Sequence, residues 1–266
     1  MNTANRIVLI GAGRLASQLG HRWAEVLPGR VDQVFSRSRT KAGRLARVLQ
    51  CNFTTRLDRI RTNAALYVIA VPDDVIGEVA ATLSQRLPAD ALVVHTSGAT
   101  PRTVLDPYFQ RTGVFYPLQS FSENRPVYWS DLPILIDAAH QADRNLLLQH
   151  ARRTGGRALV LDDQQRAVLH LGAVWVNNFA NYCYQVAHHL LNEAGVPFDL
   201  LLPLMQETVA KLETLPPEAA QTGPAARGDR ATLQRHLKLL TDHPLYADLY
   251  QQLSKAIEAG QARRES

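Results

Sequence analysis

Cysteine is nearly absent. Cys51 and Cys183 are the only two in 266 residues, far apart, with no Cys-x-x-Cys pair and no Cys/His cluster at zinc spacing. That excludes a disulfide-stapled scaffold and a zinc ribbon. No metal is expected, and two buried, reduced thiols in a cytoplasmic protein are the expected state. No apolar run approaches the roughly 18 residues needed to span a bilayer, so no membrane partner is expected. The first apolar run begins at Ile7, so no signal peptide is expected. Lysine is scarce too: of 29 basic residues only Lys41, Lys211, Lys238 and Lys255 are lysines. The arginines are scattered along the chain. A net charge of +5 without a basic tail, and an aromatic content of 7% with no interleaved platform, argue against nucleic acid and for anionic small ligands. No internal repeat or low-complexity stretch is present.

What the chain does have is concentrated at its start. Ile7 to Ile10 is a β-branched run suited to a buried parallel strand. Gly11-Ala12-Gly13-Arg14-Leu15-Ala16 follows at once, and Leu15, Leu19 and Trp23 then recur at helical spacing. A strand, a glycine turn and a helix aim backbone N–H groups at a pyrophosphate. Gly11 serves the tight turn, Gly13 the approach of phosphate to backbone, and Ala16 the close packing of helix on strand. A plain strand–helix turn is the competing reading.

A second strand, Val31 to Phe35, ends at Ser36-Arg37-Ser38. An NAD site carries an acid about 20 residues past the fingerprint, to accept a bond from the ribose 2′-hydroxyl. Ser36 stands there instead. Arg37 and Arg39 offer positive charge, Ser36 and Ser38 offer hydroxyl donors, and Arg14 can add to them, which suits the 2′-phosphate of NADP. Alternatively the run belongs to a solvated basic helix, since Lys41, Arg44 and Arg47 continue it.

Further strands are expected at 66–70, 91–95, 114–116, 134–136 and 158–161. Helices are expected at 38–49, from Val75 to Leu83, and at 141–154. This alternation means an α/β fold, a doubly wound, mostly parallel Rossmann sheet over residues 1–161. Residues 162–266 read as an all-helical domain for substrate binding and dimerisation. One long helix of about 50 Å runs to Ala194, and others lie at about 199–214, 229–240 and 245–259. The long helix is apolar nearly all round, so it is expected to be buried by the sheet domain, by later helices and by a second subunit in a homodimer.

Ligands of an open parallel sheet sit beyond the strands' carboxyl ends. The residues there are Val71-Pro72-Asp73, His95-Thr96-Ser97-Gly98 and Tyr116-Pro117-Leu118-Gln119-Ser120. His95 can shuttle a proton, or be a strand-end histidine bonded to backbone. Ser97 reads as lining the nicotinamide pocket. Tyr116 can donate to a substrate carbonyl, or simply pack. On the long helix His170, Asn177, Asn178 and Asn181 are polar islands at offsets that share one face. They either tie helices together or face a pocket. Between Thr222 and Asp229, Arg227 can clamp an anion, while Asp229 reads as a helix N-cap.

Taken together the chain resembles the bacterial Rossmann-like proteins with a C-terminal helical domain of unknown function. These are distant relatives of pyrroline-5-carboxylate reductase, prephenate dehydrogenase, and the 6-phosphogluconate and β-hydroxyacid dehydrogenases. The resemblance rests on the glycine fingerprint, Val71-Pro72-Asp73, His95 to Ala99, Pro117 to Phe121, His170 with Asn178, and above all Thr222-Gly223-Pro224-Ala225-Ala226-Arg227-Gly228-Asp229. Members of that family are for the most part provisionally assigned as NADP oxidoreductases, and related folds dimerise through the helical domain. Two departures stand out. Tyr116 occupies the place of a histidine, and Val174 sits four residues before Asn178, where β-hydroxyacid dehydrogenases carry a catalytic lysine.

The expected activity is therefore an NADP(H)-dependent oxidoreductase acting on a small anionic carbonyl or imine. His170, His95, Asn178 and Tyr116 are the catalytic candidates. Gly11, Ala12, Gly13, Arg14, Leu15, Ser36, Arg37, Ser38, Val71, Pro72, Asp73 and Ser97 are the cofactor contacts. Arg227, Thr222, Asn177 and Gln119 are the substrate contacts. The alternative is a non-catalytic NADP-binding sensor or assembly protein.

Overall fold

All four residues of β1 (Ile7–Ile10) are buried. Ile7 and Leu9 join one apolar cluster while Val8 and Ile10 join another, so the strand is covered on both faces. The computed structural model, which describes residues 6–123 and 125–265, divides into two compact units, Met1–Asn177 and Asn178–Ser266. The composition changes at 161, and the compact units divide further along, within the long helix.

In the first unit β1 leads into α1 (Arg14–Val26), followed by β2 (Val31–Phe35), α2 (Arg39–Leu49) and β3 (Asn52–Thr54). Then come β4 (Leu66–Ile69), α3 (Ile76–Ser84), β5 (Leu92–His95), β6 (Arg111–Pro117), β7 (Pro133–Ala138), α4 (Gln141–Thr154) and β8 (Arg157–Val160). The sheet order is β3-β2-β1-β4-β5-β6-β7-β8. All neighbours pair parallel except β6 with β7, which are antiparallel. Succession along the sheet reverses between β1 and β4, and that reversal opens a crevice at the strands' carboxyl ends.

Two layers cover the sheet. On one side α1 and α4 supply Leu19, Trp23, Leu147 and Ala151 to the first cluster; on the other α3 supplies Ile76, Ala80 and Leu83 to the second. Trp23 is fully buried, its ring edge-on to Phe115 with centroids 5.6 Å apart, and its Nε1–H donates to Thr154 Oγ1 at 3.2 Å. At the amino end of β6 the carboxylate of buried Asp143 on α4 accepts from Arg111 Nε at 3.1 Å, and this pair holds the guanidinium above its usual range.

The long helical run spans 31 residues. It consists of α5 (Asp163–Ala173), a π-helical turn (Val174–Phe179) and α6 (Ala180–Glu193). Asp162 and Gln165 close a capping box at its start. Arg166, almost fully buried, fastens α5 within the first unit by donating to Thr100 O at 2.7 Å and Asp163 Oδ1 at 2.6 Å. The second unit continues with α7 (Leu202–Ala210), α8 (Pro217–Ala220), α9 (Arg230–Leu239) and α10 (Pro244–Glu265). No helix among the described residues is long and apolar enough to cross a membrane.

Because Trp23 joins α1 to α4 through both apolar contact and a buried hydrogen bond, Trp23→Ala is expected to cost about 3–5 kcal/mol of unfolding free energy. Urea denaturation measures it; a loss below about 1 kcal/mol would mean that the site collapses and refills.

Candidate functional site

The turn after β1 is fixed by a collision that only glycine avoids. Gly11 has φ +131°, and a Cβ there would lie 2.0 Å from the carbonyl oxygen of Ala70, just past β4. Gly13, by contrast, faces open space and is the N-cap of α1, with no side-chain cap and no acid in the first turn. The helix therefore presents its amino end without a side-chain cap, as phosphate binding requires. Ala12 and Ala16 are buried and Leu15 is half-buried against the core. Arg14 is exposed and lines an open recess with Ser122, Glu123 and Arg125, a loop tied to α1 by Gln18 Nε2 donating to Ser122 O at 3.0 Å. That second arginine, Arg125, carries no motif by which the sequence could have announced it.

Beyond β2, Ser36 Oγ accepts the Ser38 N–H at 3.2 Å, and Ser38 Oγ accepts the Lys41 N–H at 3.3 Å as the N-cap of α2. Each hydroxyl thus accepts from backbone and keeps its own proton to donate. Arg37 is exposed and makes no ion pair among the described residues. Arg39 instead lies over the ring of Phe53 at 5.5 Å.

The ends of β4, β5 and β6 meet beside this turn. Ser97 Oγ donates to Asp73 Oδ2 at 2.7 Å and accepts the Thr100 N–H at 2.8 Å, which pins the two loops together. Val71 is half-buried, and Pro72 and Asp73 are exposed. His95 is fully buried, and its Nδ1 accepts the Ser97 N–H at 3.2 Å. Burial, then the charge of Arg166, push its imidazole from 6.5 down to about 4, against opposing effects of the Pro101 backbone and Asp163, with Arg102 adding least. It sits as a neutral, strand-end histidine bonded to backbone.

A different histidine meets Tyr116. Tyr116 Oη lies 3.1 Å from Nδ1 of His170 on α5, with the rings edge-on. Burial, then the negative charge of Asp73, raises the Tyr116 hydroxyl above its usual range, so it keeps its proton. Gly98 makes room for the pair: a Cβ there would fall 2.5 Å from His170 Nδ1 and 2.7 Å from the Tyr116 ring.

The remaining candidates are more dispersed. Gln119 is exposed, its Oε1 accepting the Ser120 N–H. Asn177 and Asn178 are exposed in the π-helical turn, and Asn181 is exposed one turn on. A π turn follows i→i+5 bonding, so the face counted at about 3.6 residues per turn from His170 does not carry through it. In the second unit Thr222 and Arg227 are exposed, and Asp229 caps α9 by accepting the Thr232 N–H at 3.0 Å. The recess lined by Asp58, Arg59, Arg61, Asn63 and Arg86 lies by the amino end of β2, where Arg61 pairs with Asp32, away from the crevice.

Comparisons with known proteins place the chain in a family. A Rossmann-like domain model matches residues 2–119, and the model of DUF2520, a domain of unknown function, matches residues 132–257. The provisionally named NADP oxidoreductase BF3122 from Bacteroides fragilis is 37% identical, with a TM-score of 0.90 over 97% of this chain and 99% of that one. The chain belongs to this Rossmann-like, DUF2520 family. A reductive aminase from Aspergillus terreus, solved with NADPH and ethyl-5-oxohexanoate, is 16% identical with a TM-score of 0.71, over 99% of this chain and 95% of that one. An imine reductase from Myxococcus stipitatus, solved with NADP+, is 15% identical with a TM-score of 0.69, over 96% and 95%. At these identities the likeness concerns the fold. A comparison with curated proteins finds no match. Within the DUF2520 family frame, the Tyr116–His170 pair brings together a residue near the end of the Rossmann match and one inside the DUF2520 match.

His95 has its pKa depressed in the folded chain, so its contribution to stability is fully present above the unfolded value near 6.5 and is lost as pH falls toward 4. The unfolding free energy is expected to drop by up to about 3 kcal/mol across that window on account of His95. His150, likewise pushed to about 4, mainly by burial, adds its own share. Denaturant titrations at successive pH values should show a shallower slope in His95→Gln; an unchanged slope would mean that His95 is not held neutral.

Proposed function

We propose that the chain is an NADP(H)-dependent oxidoreductase of small carbonyl or imine compounds. The observation that carries this reading is the 3.1 Å approach of Tyr116 Oη to His170 Nδ1 beside Gly98, at the carboxyl ends of β5 and β6. A phenol and an imidazole in hydrogen-bond contact at that position can pass a proton to or from a reacting group. Support for the cofactor comes from the open, uncapped amino end of α1, from the hydroxyl and guanidinium groups after β2, and from the solved relatives that hold NADP(H).

In this reading Gly11, Ala12, Gly13, Arg14 and Leu15 hold the pyrophosphate, and Ser36, Arg37 and Ser38 hold the 2′-phosphate. Val71, Pro72, Asp73 and Ser97 border the nicotinamide. The bound cofactor supplies or accepts hydride. Tyr116 holds a proton in a partly water-excluded place, and His170 is the neighbour that returns or removes it. Asp73, bonded by Ser97, adds negative charge that keeps the phenol protonated. That the substrate is anionic rests on Arg227, an exposed guanidinium beside the α9 N-cap. Asn177, Asn178, Gln119 and Thr222 remain candidates to orient it; His95 is the weaker candidate for the proton because it is buried and neutral.

Fluorescence titration should give much tighter binding of NADPH than of NADH. Arg37→Ala should weaken NADPH by about 10- to 100-fold, as expected for loss of a charge-assisted bond, and leave NADH nearly unaffected. With a panel of keto acids and imines, His170→Ala should cut turnover while sparing NADPH affinity. NADPH binding without oxidation by any compound in the panel would point to the sensor or assembly reading instead, and absence of NADPH binding would end both.

We also propose a homodimer built on the helical surface. Val168, Leu171, Trp175 and Val176 expose 57–77% of their area in the single chain, an apolar stretch that soluble monomers rarely leave open. The double substitution Leu171→Glu, Val176→Glu should turn a dimer into a monomer in light scattering after size exclusion; a dimer of unchanged stability would locate the interface elsewhere.

A further inference from the structure

The second unit contains a cluster that the oxidoreductase reading does not use. α6 ends at Glu193, and the chain reverses through Gly195, whose φ of +67° only glycine adopts freely, with the Val196 N–H closing onto Leu191 O at 2.9 Å. α10 begins at Pro244, directly after His243. Between these two helix ends His189, Glu193 and His243 converge, with one ligand atom from each lying within 4.8 Å of the others.

The carboxylate of Glu193 offers one oxygen to each ring. Its Oε2 is 2.9 Å from His243 Nε2, and its Oε1 is 3.6 Å from His189 Nε2. His189 and Glu193 stand one helical turn apart, at i and i+4, on one face of α6. Tyr246 steadies both imidazoles. Its Oη is 3.4 Å from His189 Nδ1, and its ring stacks on His243 at 5.3 Å and 21°. A group bonded to Nδ1 turns Nε2 toward the shared carboxylate, the arrangement that outer-shell partners give to metal-ligating histidines.

We propose that His189, Glu193 and His243 bind a divalent transition-metal ion of the zinc class and clasp α6 to α10. Two imidazole nitrogens and a carboxylate suit Zn, Co or Ni, and not Ca or Mg, which take oxygen ligands. Glu193 sits between the two rings, whose centroids are 5.6 Å apart, so that one carboxylate faces both imidazoles at once. Metal–ligand bonds of about 2.0–2.2 Å require the three donor atoms to draw closer than they stand. His189 and Glu193 are about half exposed, so side-chain rotation suffices and the helices need not move. Three protein ligands leave a fourth position for water. No spacing motif announces the site, because His243 lies 50 residues beyond Glu193.

Calorimetric titration of the metal-stripped full-length protein with zinc chloride tests this. One equivalent should bind with micromolar or tighter affinity, and cobalt in its place should give visible d–d bands. His243→Gln and His189→Gln should each weaken binding by about tenfold or more, whereas His21→Gln, an exposed histidine of the other unit, should not. Zinc should raise the Tm of the wild type and not that of His243→Gln. Glu193→Gln provides a milder second variant should a histidine variant fold poorly, and it should weaken binding as well. Failure of micromolar zinc to bind, or binding that all three ligand variants retain, would overturn the site.

Discussion

The backbone contact of Gly11 with Ala70 is the constraint on which the nucleotide unit turns. The end of β1 is gripped from both sides, with the Gly11 N–H donating to Phe35 O at 2.8 Å and the Ala70 N–H donating to Ile10 O at 2.7 Å. A chain held that tightly can leave the sheet only through a left-handed residue without a Cβ, since any other would drive into the Ala70 carbonyl. Having left, it starts α1 above the point where the sheet reverses its order. α1 then stays put because Gly20 lets Leu45 and Leu49 of α2 approach closely and because Trp23 docks on α4. Open space at Gly13 and crowding at Gly11, two residues apart, are the local reason that this crevice can receive a ligand backbone-first.

Two histidines near the strand ends divide along a physical line. His95 is sealed, aims Nδ1 at a backbone amide and stands close to cationic Arg166, so protonating it is penalised twice over. His170 is half-buried and holds a phenol whose own proton is retained by burial. Of the two, only His170 has a hydroxyl partner at the strand ends, while His95 is engaged by backbone alone. Gly98 makes the arrangement possible, because a methyl group there would occupy the space between Tyr116 and His170.

How much of this was legible follows from which signals are local. The β1–turn–α1 unit, β2 and the alternation of strands and helices are written in short runs of residues, and they fold where the periodicity places them. β3 was missed: Asn52-Phe53-Thr54 is a three-residue, partly exposed edge strand with no alternating pattern to betray it. α8, four residues inside a stretch rich in proline and glycine, shows no helical periodicity for the same reason. The antiparallel pairing of β7 leaves no mark in composition. The π-helical turn also escapes a count at a fixed period, and with it the one-face stripe drawn from His170 to Asn181. In the site itself each residue type was visible but not its partner. His95 and His170 look alike in a sequence, and the bond that separates their roles joins positions 54 residues apart. The apolar circumference of the long helix was plain; within one chain it proves to be surface rather than core.

The selectivity proposed for the 2′-phosphate follows from which hydrogen-bonding positions the backbone has already taken. A ribose hydroxyl needs an acceptor, and the loop after β2 has no carboxylate to offer. The Ser36 and Ser38 oxygens are engaged by the Ser38 and Lys41 amides, so what each presents outward is its own O–H. Arg37 adds an exposed guanidinium that makes no ion pair among the described residues, while Arg39 is drawn aside over Phe53. Donors alone, arranged around the amino end of α2, complement an anion and leave a diol underserved. Reversing the preference would therefore require an acceptor at position 36 more than the removal of any arginine. An acid there would serve a hydroxyl and repel a phosphate with the same charge, which is why one position can decide between the two cofactors.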